Sequence, residues 1–213
     1  MSVKPSNRAK RVQSLLKEEI ALKEHAEKVA AKRRALPPGP VVAKDYVFRE
    51  GAKSVKLSQL FGRGQNELLL YHFMYAPEDE KPCRMCNMWA DGYNAIASHI
   101  GDRAQIVLVA KAPTAKFKKW GKSRGWNNIR LLSSYGTTFN HDFNAEDEDG
   151  DQQPTISVFT RDKKGVIRHF YQKFAVLDSK NFRGIDLLSP VWNLMDLLPS
   201  GREDWYPKYA YHR

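Results

Sequence analysis

The sequence predicts an α/β fold in which helices cover the faces of a central mixed sheet. Two apolar runs of strand length, 67–75 and 105–110, are each followed by a helical pattern. Strands joined through helices pair in parallel. Two more strand-like runs, 156–160 and 166–171, flank a polar turn that ends in Gly165 and predict an antiparallel hairpin. A chain of 213 residues that is 42% hydrophobic can bury one substantial core.

The N-terminal segment predicts an additional amphipathic helix. Neither proline nor glycine interrupts residues 6–34, and Leu15, Leu22 and Val29 recur every seven residues. Such a helix is either a flank packed on its own domain or a coiled-coil or swapped arm in a homodimer. The sequence leaves both interpretations open.

A proline-rich stretch divides the chain into two parts. Residues 36–40 contain three prolines and a glycine, which end the helix and begin an extended connection. We therefore expect a basic N-terminal helix with its connection at 1–40 and a globular domain at 41–213. Residues 1–34 carry +6 of the net charge of +11, and a solvated helix face accounts for their mixture of Lys, Arg and Glu.

The remaining elements follow from local patterns of apolar, turn-forming and charged residues. We expect extended segments at 45–49 and 55–61, a helix from Pro113 to Gly125, an edge strand at 130–133, an irregular loop at 135–143 and a last helix from Gly184 to Leu198 despite Pro190. Residues 146–151 predict a solvated acidic loop. A calcium loop is not expected, because position twelve counted from Asp147 is Val158 rather than glutamate.

Both cysteines of the chain lie where the first buried strand gives way to a helix. After them, apolar and aromatic residues recur with helical spacing at Met85, Trp89, Tyr93, Ile96 and Ile100. Cys83 therefore stands at the start of the helix, where unpaired N–H groups and the helix dipole favour a thiolate, and we predict a lowered pKa for it. Cys86 lies one turn further on, where it can attack a mixed disulfide at Cys83.

This arrangement favours thiol–disulfide exchange. The chain has no apolar run long enough to cross a bilayer and no secretory signal, so we expect a cytoplasmic protein without a membrane partner. In that compartment a Cys-x-x-Cys pair more often serves redox chemistry or metal binding than a structural bridge. We interpret the protein as a thiol–disulfide oxidoreductase without a cofactor, in which Cys83 attacks and Cys86 resolves, acting on protein or small-molecule thiols and disulfides.

The order of the elements resembles the thioredoxin fold. Proteins of that fold carry a cis-proline before the first hairpin strand, and Pro154 occupies that place. The resemblance implies that Pro154 is cis and shapes the groove that binds the partner. More closely, the chain resembles an uncharacterised bacterial thioredoxin-like family from the peroxiredoxin-related branch. This resemblance spans nearly the whole chain and rests on the basic N-terminal helix and on residues 44–48, 70–75, 83–91, 112–113, 139–143, 157–159 and 197–202.

A thiol peroxidase is one alternative. Peroxiredoxins carry the motif Pro-x-x-x-Thr-x-x-Cys, in which the threonine hydroxyl helps to bind peroxide. Counting back from Cys83, Glu80 stands in place of the threonine and Ala76 in place of the proline. The resemblance therefore lacks two residues of the peroxide-binding motif.

Soft-metal binding is a second alternative, with Cys83 and Cys86 clamping copper. Further ligands would be Met85 or Met88 and His72 or His141. Two cysteines are too few for a four-thiolate zinc site. His72 lies on an apolar strand, which is typical of a core histidine, whereas His141 lies in a polar loop.

A third alternative is a non-catalytic thioredoxin-like module in which the basic N-terminal helix binds a partner protein or nucleic acid. Basic and aromatic residues alternate over 116–122, a pattern that suits stacking on nucleic-acid bases. The same pattern is typical of a helix with one buried and one solvated face. A nucleic-acid partner is therefore not expected.

Overall fold

The computed structural model describes residues 6–178 and 184–211, and a mixed seven-stranded sheet forms the centre of this part of the chain. The strands are β1 (Val47–Glu50), β2 (Lys53–Lys56), β3 (Glu67–His72), β4 (Gln105–Ala110), β5 (Arg130–Ser133), β6 (Thr155–Arg161) and β7 (Ile167–Phe174). Their order across the sheet is β2-β1-β5-β4-β3-β6-β7. β3, β4 and β5 pair in parallel, and all other neighbours are antiparallel. The predicted α/β class with a mixed sheet is confirmed.

The α-helices of the described residues connect or precede these strands. They are α1 (Asn7–Arg34), α2 (Arg84–Ile100), α3 (Thr114–Arg124), α4 (Phe139–Asp142) and α5 (Pro190–Met195). Single turns of 3-10 helix lie at Leu57–Gln59 and Asp186–Leu188. α2 follows β3 and α3 follows β4, so each supplies the crossover that a parallel neighbour requires.

Each face of the sheet has its own hydrophobic core, and β3 contributes to both. Leu68 and Leu70 point into a core with Phe48, Phe139 and Phe159. Tyr71 and the residue after the strand's end, Phe73, point into the other core, beneath α2 and α3. The alternation of successive side chains along the strand therefore assigns Tyr71 to the face that carries the cysteine helix.

The N-terminal helix belongs to a compact unit of its own. Contacts divide the chain into residues 1–39 and 40–213. α1 starts at Ser6, whose Oγ accepts a hydrogen bond from the Ala9 N–H at 3.2 Å. No residue of α1 is buried, and Leu22 is 69% exposed. No helix within the described residues is long and apolar enough to cross a membrane.

The last helix is shorter than predicted. Residues 184–198 do not form one helix, because α5 begins at Pro190 and ends at Met195. Proline lacks an N–H and is accepted at the first helical position rather than in the interior. Ser189 caps this start, since its Oγ accepts from the Val191 N–H at 3.4 Å. Pro113 similarly precedes α3 as its N-cap instead of occupying its first turn.

The loops also depart from the sequence prediction. The region 135–143 contains the short helix α4. In the acidic loop residues 147–151 are exposed as predicted, whereas Glu146 is paired with Lys111 and its side chain is only 13% exposed. On α2, Ile96 is 43% exposed, because the buried face runs through Cys86, Trp89, Ala90, Tyr93 and Ala97.

Candidate active site

Cys83 is the N-cap residue of α2, as predicted. Its Sγ accepts a hydrogen bond from the Cys86 N–H at 3.4 Å, in the position that a serine or aspartate oxygen takes in an ordinary cap. The Cys83 N–H donates to the Met74 carbonyl at 3.2 Å, which ties the cap to the end of the β3 segment. Both cysteines are free thiols; Cys83 is half-buried and Cys86 is buried.

The environment lowers the pKa of Cys83 to about 6. The largest cause is a hydrogen bond from the Cys86 thiol. The pKa is lowered further by the backbone N–H groups of Cys86 and Met85 and by the charge of Arg84, whereas burial raises it. Burial raises the pKa of Cys86 well above that of an ordinary thiol, and the charge on Cys83 raises it further. The pair therefore consists of a half-buried thiol that ionises readily and a fully buried thiol that does not.

Two tyrosine hydroxyls lie in the core beside Cys86. Tyr71 on β3 and Tyr93 on α2 are buried, with ring centroids 5.3 Å apart in an edge-to-face arrangement. Within the described residues neither hydroxyl bonds to a nitrogen or oxygen atom, and the Tyr71 hydroxyl interacts with the Cys86 thiol. Burial raises the pKa of both hydroxyls, and the neighbouring Cys86 adds to the rise. A buried hydroxyl without a partner is costly, and Tyr71 in turn acts to lower the pKa of Cys86.

A buried asparagine holds the backbone of the cap. The Asn87 amide donates to the Cys83 carbonyl at 2.8 Å, and its oxygen accepts from the Trp120 indole at 2.7 Å. Trp120 belongs to α3, so two helices jointly fix the position of Cys83. Sequence reasoning did not single out Asn87, although a polar residue on the buried side of an amphipathic helix is a usable signal.

The C-terminal residues complete the surroundings of Cys83. The Tyr209 hydroxyl donates to the Pro82 carbonyl at 2.7 Å, and its ring packs edge-on against Trp120 at 5.7 Å. The Arg84 guanidinium lies 4.7 Å from the ring centroid of Tyr206. The sequence carries no local signal for these contacts, since the partners in each of them are far apart in the chain.

Pro154 differs from the prediction. Every peptide bond in the described residues is trans, including the one that precedes Pro154, so the expected cis-proline is wrong. The chain enters β6 in an extended form, with the Gln153 N–H bonded to the Ala145 carbonyl at 2.9 Å. The Pro154 carbonyl accepts from the Ala175 N–H at 3.1 Å. A tight turn of the kind that favours a cis bond is therefore not formed at this point.

The histidines proposed as metal ligands do not accompany the cysteines. His72 is buried on the opposite face of the sheet, stacked on Phe139, with its Nε2 3.0 Å from the Ser157 hydroxyl. The interpretation of His72 as a core histidine is confirmed. His141 is exposed beside Asp142 on α4. Within residues 6–178 and 184–211 no group of three or more His, Cys, Asp or Glu side chains is placed to hold a metal ion.

Comparison with known proteins identifies the family and supports the fold. A family model described as a bacterial protein of unknown function (DUF899) matches residues 3–213, which confirms the resemblance seen in the sequence. No curated protein matches the chain.

Solved structures similar to this chain are peroxiredoxins and thioredoxins. A peroxiredoxin Q from Xanthomonas campestris aligns with a TM-score of 0.51 at 14% identity, covering 70% of this chain and 92% of that one. Reduced Prx3 from Vibrio vulnificus gives 0.49 at 14% identity, covering 72% and 96%. The exposed lipoprotein thioredoxin Etrx1 from Streptococcus pneumoniae gives 0.45 at 18% identity, covering 68% and 98%. At these identities the likeness concerns the fold, which is thioredoxin-like.

Proposed function

The chain belongs to the DUF899 family of bacterial proteins of unknown function, so the family itself does not indicate an activity. From the geometry of its two cysteines we propose that the protein is a thiol–disulfide oxidoreductase. The observation that carries this proposal is the asymmetry of the pair. The pKa of Cys83 is lowered to about 6, while that of Cys86 is raised by burial. A nucleophile that is ionised near neutral pH, next to a protonated second thiol, suits a two-step exchange.

In the first step the Cys83 thiolate attacks one sulfur of a substrate disulfide. A bond forms between Cys83 and that sulfur, the substrate S–S bond breaks, and one substrate thiolate leaves. Cys86 then loses its proton to the released thiolate or to solvent and attacks the Cys83 sulfur. The second substrate thiolate leaves, so the substrate gains two electrons and the protein dithiol becomes a disulfide.

The buried tyrosine beside Cys86 supports the second step. Ionising Cys86 in an apolar core is unfavourable, because burial disfavours the charged form. The Tyr71 hydroxyl is next to it and has no other partner among the described residues. We assign to Tyr71 the role of donating a hydrogen bond to the Cys86 thiolate as it forms.

A single-turnover reaction tests the proposed function. The reduced protein is mixed with excess hydroxyethyl disulfide, and its mass is followed by rapid acid quench. We expect the wild type to lose two hydrogens and to release two thiols. Cys86→Ser should stop at the mixed disulfide on Cys83, and Cys83→Ser should not react. A wild-type protein that forms no disulfide, or that reacts equally well without Cys83, would refute the function.

A further inference from the structure

A basic cleft lies next to the cap that presents Cys83. Its walls are Tyr75, Lys81, Lys116, Lys119 and Trp120, and its volume is about 460 Å³. Cavities of roughly 300 to 1,000 Å³ suit small ligands rather than a folded partner. We call this the basic cleft.

The cleft is connected to the reactive cysteine on two sides. Lys81 precedes Cys83 by two residues in the same segment. On the opposite wall, the Trp120 indole reaches the Cys83 carbonyl through the side chain of Asn87. A ligand in the cleft is therefore held beside the segment that carries the nucleophile.

The basic cleft carries an excess of positive charge. Among the described residues none of its three lysines forms an ion pair with a carboxylate. Lys116 is held in place, because its Nζ donates to the Pro77 carbonyl at 2.8 Å and lies 4.9 Å from the ring centroid of Tyr75. Lys119 is exposed, and Glu80 is the carboxylate on the described lining. Three cations against one anion leave an excess that attracts negative ligands.

We propose that the basic cleft binds the carboxylate of a small anionic disulfide and delivers its sulfurs to Cys83. The aromatic walls take the apolar part of such a ligand, and the ammonium groups of Lys81 and Lys119 bind its carboxylate by charge-assisted hydrogen bonds. This inference rests on the proposed thiol–disulfide exchange and specifies its substrate class. The overall reaction is unchanged: protein dithiol and substrate disulfide give protein disulfide and two substrate thiols.

Three disulfides of similar length but different charge test the substrate class. Reduced full-length protein is reacted in single turnovers with dithiodipropionate, hydroxyethyl disulfide and cystamine, which are anionic, neutral and cationic. Each rate is divided by the rate of mercaptoethanol with the same disulfide, which removes intrinsic differences in reactivity. At low salt we expect the corrected rate to be about tenfold higher for the anionic than for the neutral disulfide. In about 1 M salt the two corrected rates should become similar, because salt screens exposed charges.

Substitutions in the cleft locate the preference. Lys119→Gln should lower the rate with the anionic disulfide about three- to fivefold, the effect of losing one exposed ion pair of up to about 1 kcal/mol. Its rate with the neutral disulfide should not change. Lys81→Gln combined with Lys119→Gln should lower the anionic rate further. Lys122→Gln is the matched control, because Lys122 lies on the same helix but lines a different cavity.

The outcomes separate this inference from the proposed function. Equal corrected rates for the three disulfides, or equal effects of Lys119→Gln and Lys122→Gln, would overturn the basic cleft as the substrate site while the exchange reaction stands. Failure of all three disulfides, including the neutral one, would overturn the exchange reaction and the substrate class together.

Discussion

At the scale of single residues, the chemistry of the site depends on two sulfur atoms in different environments. Cys83 is half-buried and receives hydrogen bonds at the start of α2, whereas Cys86 is fully buried one turn later. Hydrogen bonds at the start of the helix therefore stabilise the Cys83 thiolate, whereas burial disfavours a Cys86 thiolate. This difference assigns attack to Cys83 and resolution to Cys86.

Tyr71→Phe tests the role given to the buried hydroxyl. Loss of one hydrogen bond to a charged group costs about 1.5 kcal/mol or more, so release of the mixed disulfide should slow about tenfold. The first attack by Cys83 should keep its rate. Rapid-quench mass spectrometry resolves both steps, since the mixed disulfide accumulates when resolution is slow.

Tyr93→Phe is the control for this substitution. It removes a hydroxyl from the same aromatic pair, and the Tyr93 hydroxyl has no hydrogen-bond partner among the described residues. We expect a smaller effect on resolution than for Tyr71→Phe. If Tyr71→Phe resolves at the wild-type rate, the assignment of Tyr71 is wrong.

At the scale of secondary structure, close packing of α3 on β5 fixes the wall that contains Trp120. A methyl group at Gly121 would overlap Leu131 Cδ1 and lie 3.4 Å from Trp126 Cε3. Gly121→Ala should therefore destabilise the protein by about 1–3 kcal/mol. Urea unfolding measures this as a lower midpoint at an unchanged slope.

Gly92→Ala on α2 should stabilise the protein, in contrast to Gly121→Ala. Nothing lies within 4 Å of a methyl group at this position, and glycine in a helix is unfavourable relative to alanine. We expect the free energy of unfolding to rise by about 0.5–1 kcal/mol. A destabilised Gly92→Ala or a neutral Gly121→Ala would show that the packing of these two helices differs from the one described.

Local patterns predicted most elements but not their contacts. The strands at 105–110 and 130–133 match the predicted bounds, because an apolar run bounded by turn residues defines a buried strand. The expectation that 130–133 is an edge strand is wrong, since β5 pairs with both β1 and β4. The helix predicted from 184 to 198 is wrong, because Pro190 lacks an N–H and is accepted at the start of a helix rather than in its interior. The sequence alone does not predict the roles of Asn87, Tyr71 and Tyr209, because these roles depend on contacts with residues distant in sequence.

At the scale of the whole molecule, buried histidines make stability depend on pH. Burial lowers the pKa of His72 to about 3 from an ordinary value of 6.5, and burial also lowers the pKa of His169 on the same side of the sheet. Below about pH 6.5 the unfolded chain therefore binds more protons than the folded one, and stability falls as the pH falls. The stability contributed by the neutral histidines is fully retained above the pKa of about 6.5 that histidine has in the unfolded chain.

His72→Gln measures this contribution. The amide can still bond to Ser157 but does not titrate, so the variant should lose less stability between pH 7 and pH 5 than the wild type. The difference in slope can reach about 1.4 kcal/mol per pH unit for one proton. Urea midpoints at several pH values give both slopes. Parallel slopes for the two proteins would contradict the buried, neutral state of His72.

The central claim is that Cys83 is a thiolate near neutral pH, and the pH dependence of its alkylation tests that claim most directly. The reduced protein is treated briefly with iodoacetamide at a series of pH values, and modification of Cys83 is quantified by peptide mass spectrometry. We predict a rate that is half-maximal near pH 6, with Cys86 unmodified throughout. A midpoint near the ordinary thiol value of about 8.5 would contradict the account.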